Sequence, residues 1–164
     1  MRKTINCFIP YEENTAIDKV VTALKDSIVV NKIYLLTTAH GSMPSVPAGC
    51  EPFTIDSLNS SDTIKKIAQK ADTPFTLLYT KASPFELGYM ALERIADFLQ
   101  DRKTGMVYAD HYEWKEGEKK KHPAIDYQPG SVRDDFDFGA LLAFRSEYLI
   151  GAAGMMENER EDYR

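Results

Sequence analysis

Residues 4–36 read TINCFIPYEENTAIDKVVTALKDSIVVNKIYLL, and the fold follows from them. The apolar run TINCFI (residues 4–9) stops at Pro10, as a buried strand does. Ile17, Val20, Val21 and Leu24 then recur at helical spacing, predicting an amphipathic helix from about Thr15 to Asp26 with Asn14 or Thr15 as its cap. Ile33, Tyr34, Leu35 and Leu36 form a second buried run. Strand, helix, strand in about thirty residues is a βαβ unit, which commits the chain to parallel pairing.

The same alternation continues downstream. Residues 39–49 are rich in Gly, Pro and Ser and read as loop. Phe53–Ile55 is a short third strand, and Ser60, Ser61 or Asp62 opens a helix that Thr73-Pro74 ends. Phe75–Tyr79 is a fourth strand, followed by a long helix expected from about Pro84 to Gln100. A fifth strand is expected from Met106 toward Trp114, with KEGEKKK (residues 115–121) as a charged hairpin tip. Phe138–Phe144 is a last strand, followed by a short helix near Glu147–Ile150. The expected fold is thus α/β, a Rossmann-like three-layer sandwich around a mostly parallel central sheet, built as one domain over residues 1–164.

Composition narrows the function. At 164 residues and 43% apolar, the chain can bury one full core. A net charge of −5 leaves no electrostatic footprint for a nucleic-acid partner. Cys7 and Cys50 offer neither a disulfide framework nor a CxxC spacing, which fits a reducing compartment. The run after the basic N-terminal residues is too short for a signal peptide, and no segment reaches the length of a membrane span, so the expectation is cytoplasmic. Ligands of such sheets bind beyond the carboxyl ends of the strands. That rule selects residues 10–13, 37–40, Asp56, 80–83 and 110–112.

Three stretches together resemble the inverting family 2 glycosyltransferases with the GT-A fold. INCFIPYEEN (residues 5–14) is similar to the family's opening strand and nucleotide-binding turn. FGALLAFRSEYLI (residues 138–150) is similar to its strand and helix after the metal site. GAAGMMENERED (residues 151–162) keeps the spacing from a Gly to a Glu-Asp pair, Glu161 and Asp162, although the Phe-Asp-Glu between them is lost. The resemblance implies a nucleotide-sugar donor, UDP- or GDP-linked, and a glycan or lipid-linked acceptor. It implies Asp162 as the catalytic base with Glu161 beside it, and Pro10, Tyr11, Glu12 and Thr38 in the donor site. The family continues past this pair into helices that shape the acceptor site; the chain is expected to lack that extension.

Two positions depart from the family. Leu36-Thr37-Thr38-Ala39-His40 lacks the usual acidic residue, and Thr80-Lys81-Ala82-Ser83 stands where Asp-x-Asp would hold Mg²⁺ or Mn²⁺. Three readings stay open: Lys81 neutralises the diphosphate itself, Asp110 and His111 supply metal ligands from the next strand end, or the site is degenerate. In HPAIDYQPGSVRDDFD (residues 122–137), Arg133 is a candidate for phosphate, and Asp134, Asp135 and Asp137 for sugar hydroxyls or a cation. Tyr11 is placed to stack on a nucleobase or to pack beside Pro10; Tyr112 and Trp114 are candidate sugar-stacking rings or hairpin packing. The alternative function is a catalytically degenerate GT-A-like binding or regulatory module. A nucleotidyltransferase of similar topology would need a Gly-rich basic loop after the first strand, which residues 10–14 do not offer.

Overall fold

The structure, a computed structural model, describes residues 3–12, 16–38, 45–124, 127–130 and 136–156. The elements run β1 (Ile5–Pro10), α1 (Asp18–Asp26), β2 (Val30–Thr38), β3 (Glu51–Ile55), α2 (Ser61–Gln69), β4 (Phe75–Tyr79), α3 (Ala91–Gln100), β5 (Met106–Val107), β6 (His111–Lys115), β7 (Glu118–His122), β8 (Leu141–Arg145) and α4 (Ser146–Met155).

Six strands form the central sheet in the order β3-β2-β1-β4-β8-β5. β1 pairs in parallel with β2 and β4, and β2 with β3, whereas β8 is antiparallel to both β4 and β5. β5 therefore points the same way as β4. The expected three-layer sandwich with a mostly parallel sheet is what the chain forms.

Strand alternation feeds two cores. Ile5, Cys7 and Ile9 of β1 and Phe75, Leu77 and Tyr79 of β4 meet Val20, Val21 and Leu24 of α1 and Leu92, Ala96 and Leu99 of α3 on one face. Phe8, Tyr34, Leu36 and Leu78 meet Ile67 of α2 and Leu149 of α4 on the other. Phe8 stacks on Tyr34 at 4.8 Å between ring centroids, with Phe53 edge-on to both. Asn6, fully buried at the amino end of β1, is satisfied by Asp72, Lys70 and Asn31. Ser60 caps α2 through Thr63 N–H, one of the residues expected to open that helix.

Several boundaries differ from the sequence expectation. α1 begins at Asp18 rather than near Thr15, with Ile17 at its N-cap position and no side-chain cap, while Asn14 and Thr15 lie outside the described residues. α3 begins at Ala91, not near Pro84: residues 84–90 stay irregular, Met90 is left-handed at φ 52°, and Phe85 turns back to pack on Tyr79 at 4.2 Å. Gly88 lowers the helical tendency of that stretch. The fifth strand breaks after Val107, and residues 111–122 leave the sheet as a separate two-stranded hairpin. Its turn is Glu116-Gly117 with φ 55° and 81°, the doubly positive pattern of a tight hairpin. β8 starts at Leu141, because Asp137 accepts Gly139 N–H at 2.8 Å and Gly139 sits at φ 79°, which holds the preceding residues in a turn. α4 continues to Met155, beyond the short helix expected near Ile150. Among the described residues, no helix is long and apolar enough to cross a membrane.

Candidate functional site

The strand order dictates where a ligand can sit. The chain leaves β1 toward β2 and β3 on one side, while β4, β8 and β5 lie on the other. The order reverses between β1 and β4, and open sheets of this kind bind their ligands outside the carboxyl ends of the strands at such a switch point. Pro10, Tyr11 and Glu12 follow β1, Thr38 ends β2, Lys81 follows β4, and Asp110 and His111 follow β5. The topology thus sets all seven at one edge of the sheet. Arg133, Asp134, Asp135, Glu161, Asp162 and His40 lie outside the described residues.

On the β1 side the backbone stays paired beyond the strand. Tyr11 N–H donates to Leu36 O at 2.8 Å, extending the β1–β2 pairing past Pro10. The Tyr11 ring is half-buried against the core, and its hydroxyl donates to Ser45 O at 3.2 Å, tying down the end of the loop after β2. The structure therefore gives Tyr11 the packing role left open by its sequence. Glu12 and Thr38 are exposed at the rim.

The β4 side is anchored to β8. Thr80 donates through its N–H to Ala140 O at 2.9 Å, and Tyr79 shares a 3.0 Å hydroxyl contact with Ser83. Lys81 leaves this corner toward the hairpin, where its Nζ lies 3.3 Å from Glu113 Oε1. Glu113 also pairs with Lys115 at 2.9 Å and lies 3.5 Å from His111 Nε2. These bonds, to Lys115 first and Lys81 next, hold the Glu113 carboxyl down from its ordinary 4.5 to about 2. The pair joins the hairpin to the sheet edge by charge.

Glu113 is depressed in the folded chain, so its contribution to stability is complete above pH 4.5 and is lost as pH falls through about 2. Carbon-detected titration of the Glu113 carboxyl is expected to give a midpoint near 2, rising toward 4.5 in the Lys81→Gln, Lys115→Gln double variant. A midpoint near 4.5 in the parent chain would show that the ion pairs do not form.

Asp110 and His111 are drawn into the hairpin's own framework. Asp110 accepts Ala124 N–H at 2.8 Å and pairs with Lys121 at 3.4 Å, and the backbone bond is the first cause that lowers its carboxyl. His111 stacks on His122 at 4.9 Å, and its ring rests on Gly139, where an added Cβ would stand 3.2 Å from Nδ1. Among the described residues, no three His, Cys, Asp or Glu side chains gather as a group able to hold a metal ion. A cation on a diphosphate needs one or two protein carboxylates beside the phosphates, and Asp110 spends its oxygens on Ala124 N–H and Lys121. Asp137 likewise spends a carboxylate oxygen on its turn.

Tyr108, Phe136 and Phe138 form an aromatic knot beside β5, with centroids 4.5–6.2 Å apart. The sequence reading missed Glu113 as the hub of the edge. Its signal was faint: alternation with His111 and Lys115 on one strand face, opposite Lys120.

No protein-family profile matches the chain, and no curated protein matches it in sequence. One similar solved structure is CMP:2-keto-3-deoxy-manno-octonic acid synthetase complexed with CTP, at TM-score 0.53 and 11% identity, covering 98% of this chain and 81% of that one. At that identity the likeness is one of fold.

Proposed function

We propose that the chain binds a nucleotide sugar in the crevice between the carboxyl ends of β1 and β4 and transfers its sugar, with inversion, to a glycan or lipid-linked acceptor. The observation that carries this reading is the reversal of strand order between β1 and β4, with Tyr11 and Glu12 on one lip and Lys81 on the other. The fold's likeness to an enzyme solved with CTP supports a nucleotide as the ligand class.

In this reading the exposed Lys81 exchanges its half-buried Glu113 partner for the diphosphate, and stabilises the negative charge that grows on the leaving group. Glu12 and Thr38, exposed at the rim, face the nucleoside end, and Tyr11 holds the floor. Arg133 adds a second phosphate contact. Asp162, with Glu161 beside it, takes the acceptor proton as the hydroxyl attacks the sugar carbon. The second reading, a binding module without transfer, is favoured by one observation: Lys81 and Asp110 already have protein partners at 3.3 and 2.8 Å.

Isothermal titration with UDP, GDP, CTP and the UDP- and GDP-sugars, with and without Mn²⁺, tests both. Heat from a nucleotide sugar, and release of free nucleoside diphosphate when acceptor saccharide is added, is the expected result. Binding without turnover selects the second reading, and no heat from any nucleotide overturns both.

A further inference from the structure

The hairpin has two unlike faces. Cross-strand partners share a face, so His111 and His122, Glu113 and Lys120, and Lys115 and Glu118 lie on one, while Tyr112 and Lys121, and Trp114 and Lys119, lie on the other. The first face is bound to the sheet edge through the Lys81–Glu113 pair and the His111–Gly139 contact. The second is open: Trp114 is 73% exposed and Tyr112 57% exposed. Lys119 Nζ stands 4.6 Å over the Tyr112 ring, which holds its charge against the face.

We propose that this outer face, Tyr112, Trp114, Lys119 and Lys121, is a binding surface for an acidic saccharide. Two rings two residues apart on one strand are spaced about 6.6 Å, a sugar-sized step. Each ring has an ammonium across from it, suited to a carboxylate, phosphate or sulfate on the sugar. The strand pairing puts no carboxylate of β6 or β7 on this face, in a chain whose net charge is −5, so the local positive sign is built against the overall balance. Asp110 reaches Lys121 from the strand end at 3.4 Å, which leaves Lys119 as the main anion contact. A lipid surface is the poorer fit, since the lysines interrupt the apolar area that insertion needs. The face binds independently of any nucleotide; naming its ligand an acceptor rests on the transfer reading above.

Trp114 is the chain's one tryptophan, so its emission reports on the face directly. Oligogalacturonate should shift and quench that emission saturably, uncharged maltooligosaccharide should not, and Lys119→Glu should weaken binding at least tenfold with an unchanged circular dichroism spectrum. Calorimetry on Trp114→Ala should show a comparable loss. No response to oligogalacturonate, equal response to the uncharged sugar, no effect of Lys119→Glu, or response only to phosphatidylserine vesicles would overturn the inference. Nucleotide calorimetry on the same sample keeps the two proposals apart: intact nucleotide binding with a silent tryptophan refutes this one alone, and the reverse refutes only the nucleotide site.

Discussion

Replacing Arg145 with methionine is expected to lower the unfolding free energy by about 2–4 kcal/mol, and the melting temperature by about 6–12 °C at this chain length. Arg145 ends β8, and its guanidinium crosses to the end of α3. It donates to Leu99 O, to Asp101 O at 3.0 Å and to Thr104 O at 3.5 Å, and it lies over the Phe75 ring at 5.8 Å. Leu99 O lies in the last turn of the helix, where carbonyls lack intrahelical donors, whereas Asp101 O also accepts Thr104 N–H at 2.9 Å. The cation satisfies them and complements the helix dipole at once. Methionine fills similar volume but donates nothing, which removes the guanidinium donor from the part-buried Leu99 and Thr104 carbonyls, while Asp101 O keeps Thr104 N–H. Arg145→Lys should recover only part of the loss, since one ammonium cannot span three acceptors. A thermal shift below about 2 °C for Arg145→Met would show that water replaces the guanidinium at little cost.

Lys81→Met is expected to weaken nucleoside diphosphate binding roughly 10- to 100-fold, the worth of one or two charge-assisted hydrogen bonds. The fold should tolerate the change, because the side chain is 56% exposed and its partner Glu113 keeps Lys115. A nucleoside without phosphate should bind the variant and the parent alike, because Lys81 acts on the phosphate end alone. Titration calorimetry with UDP and uridine separates these outcomes. An equal loss for both ligands would place Lys81 in folding rather than in recognition.

The parts of the fold readable from sequence are those whose signal is local. β4 was legible to the residue, since FTLLY is an apolar run bounded by Pro74 and Thr80. β1 and the α2 cap at Ser60 were legible for the same reason. The hairpin was legible at its turn, inside the charged run 115–121, but not in its second strand. The inner face of the ribbon meets the sheet edge through charged and imidazole groups, so EKKKH carries no hydrophobic alternation and reads as a charged turn although it is strand β7. The early start expected for α3 failed because Phe85 prefers the Tyr79 ring to a helical position. Arg145 reads as the leader of a turn; its helix-capping role depends on carbonyls 41 to 46 residues away.

The candidate site divides along the same line. Placement of Tyr11, Glu12, Thr38, Lys81 and Asp110 at one edge followed from strand order, which the alternation of elements foretells. What those side chains do to one another did not follow, because their partners are distant: Glu113 for Lys81, Ala124 for Asp110, Ser45 for Tyr11. A carboxylate in a polar loop looks the same in sequence whether it awaits a cation or holds a turn.

Amide chemical-shift mapping with UDP tests most directly whether a nucleotide occupies the β1–β4 crevice. Saturable shifts concentrated at Tyr11, Glu12, Thr38 and residues 80–83, with the amides of α2 and α4 unmoved, are the predicted outcome. Shifts confined to the amino ends of the strands around Asp72 and Ser146, or none at millimolar UDP, would contradict the assignment of this edge as the binding site.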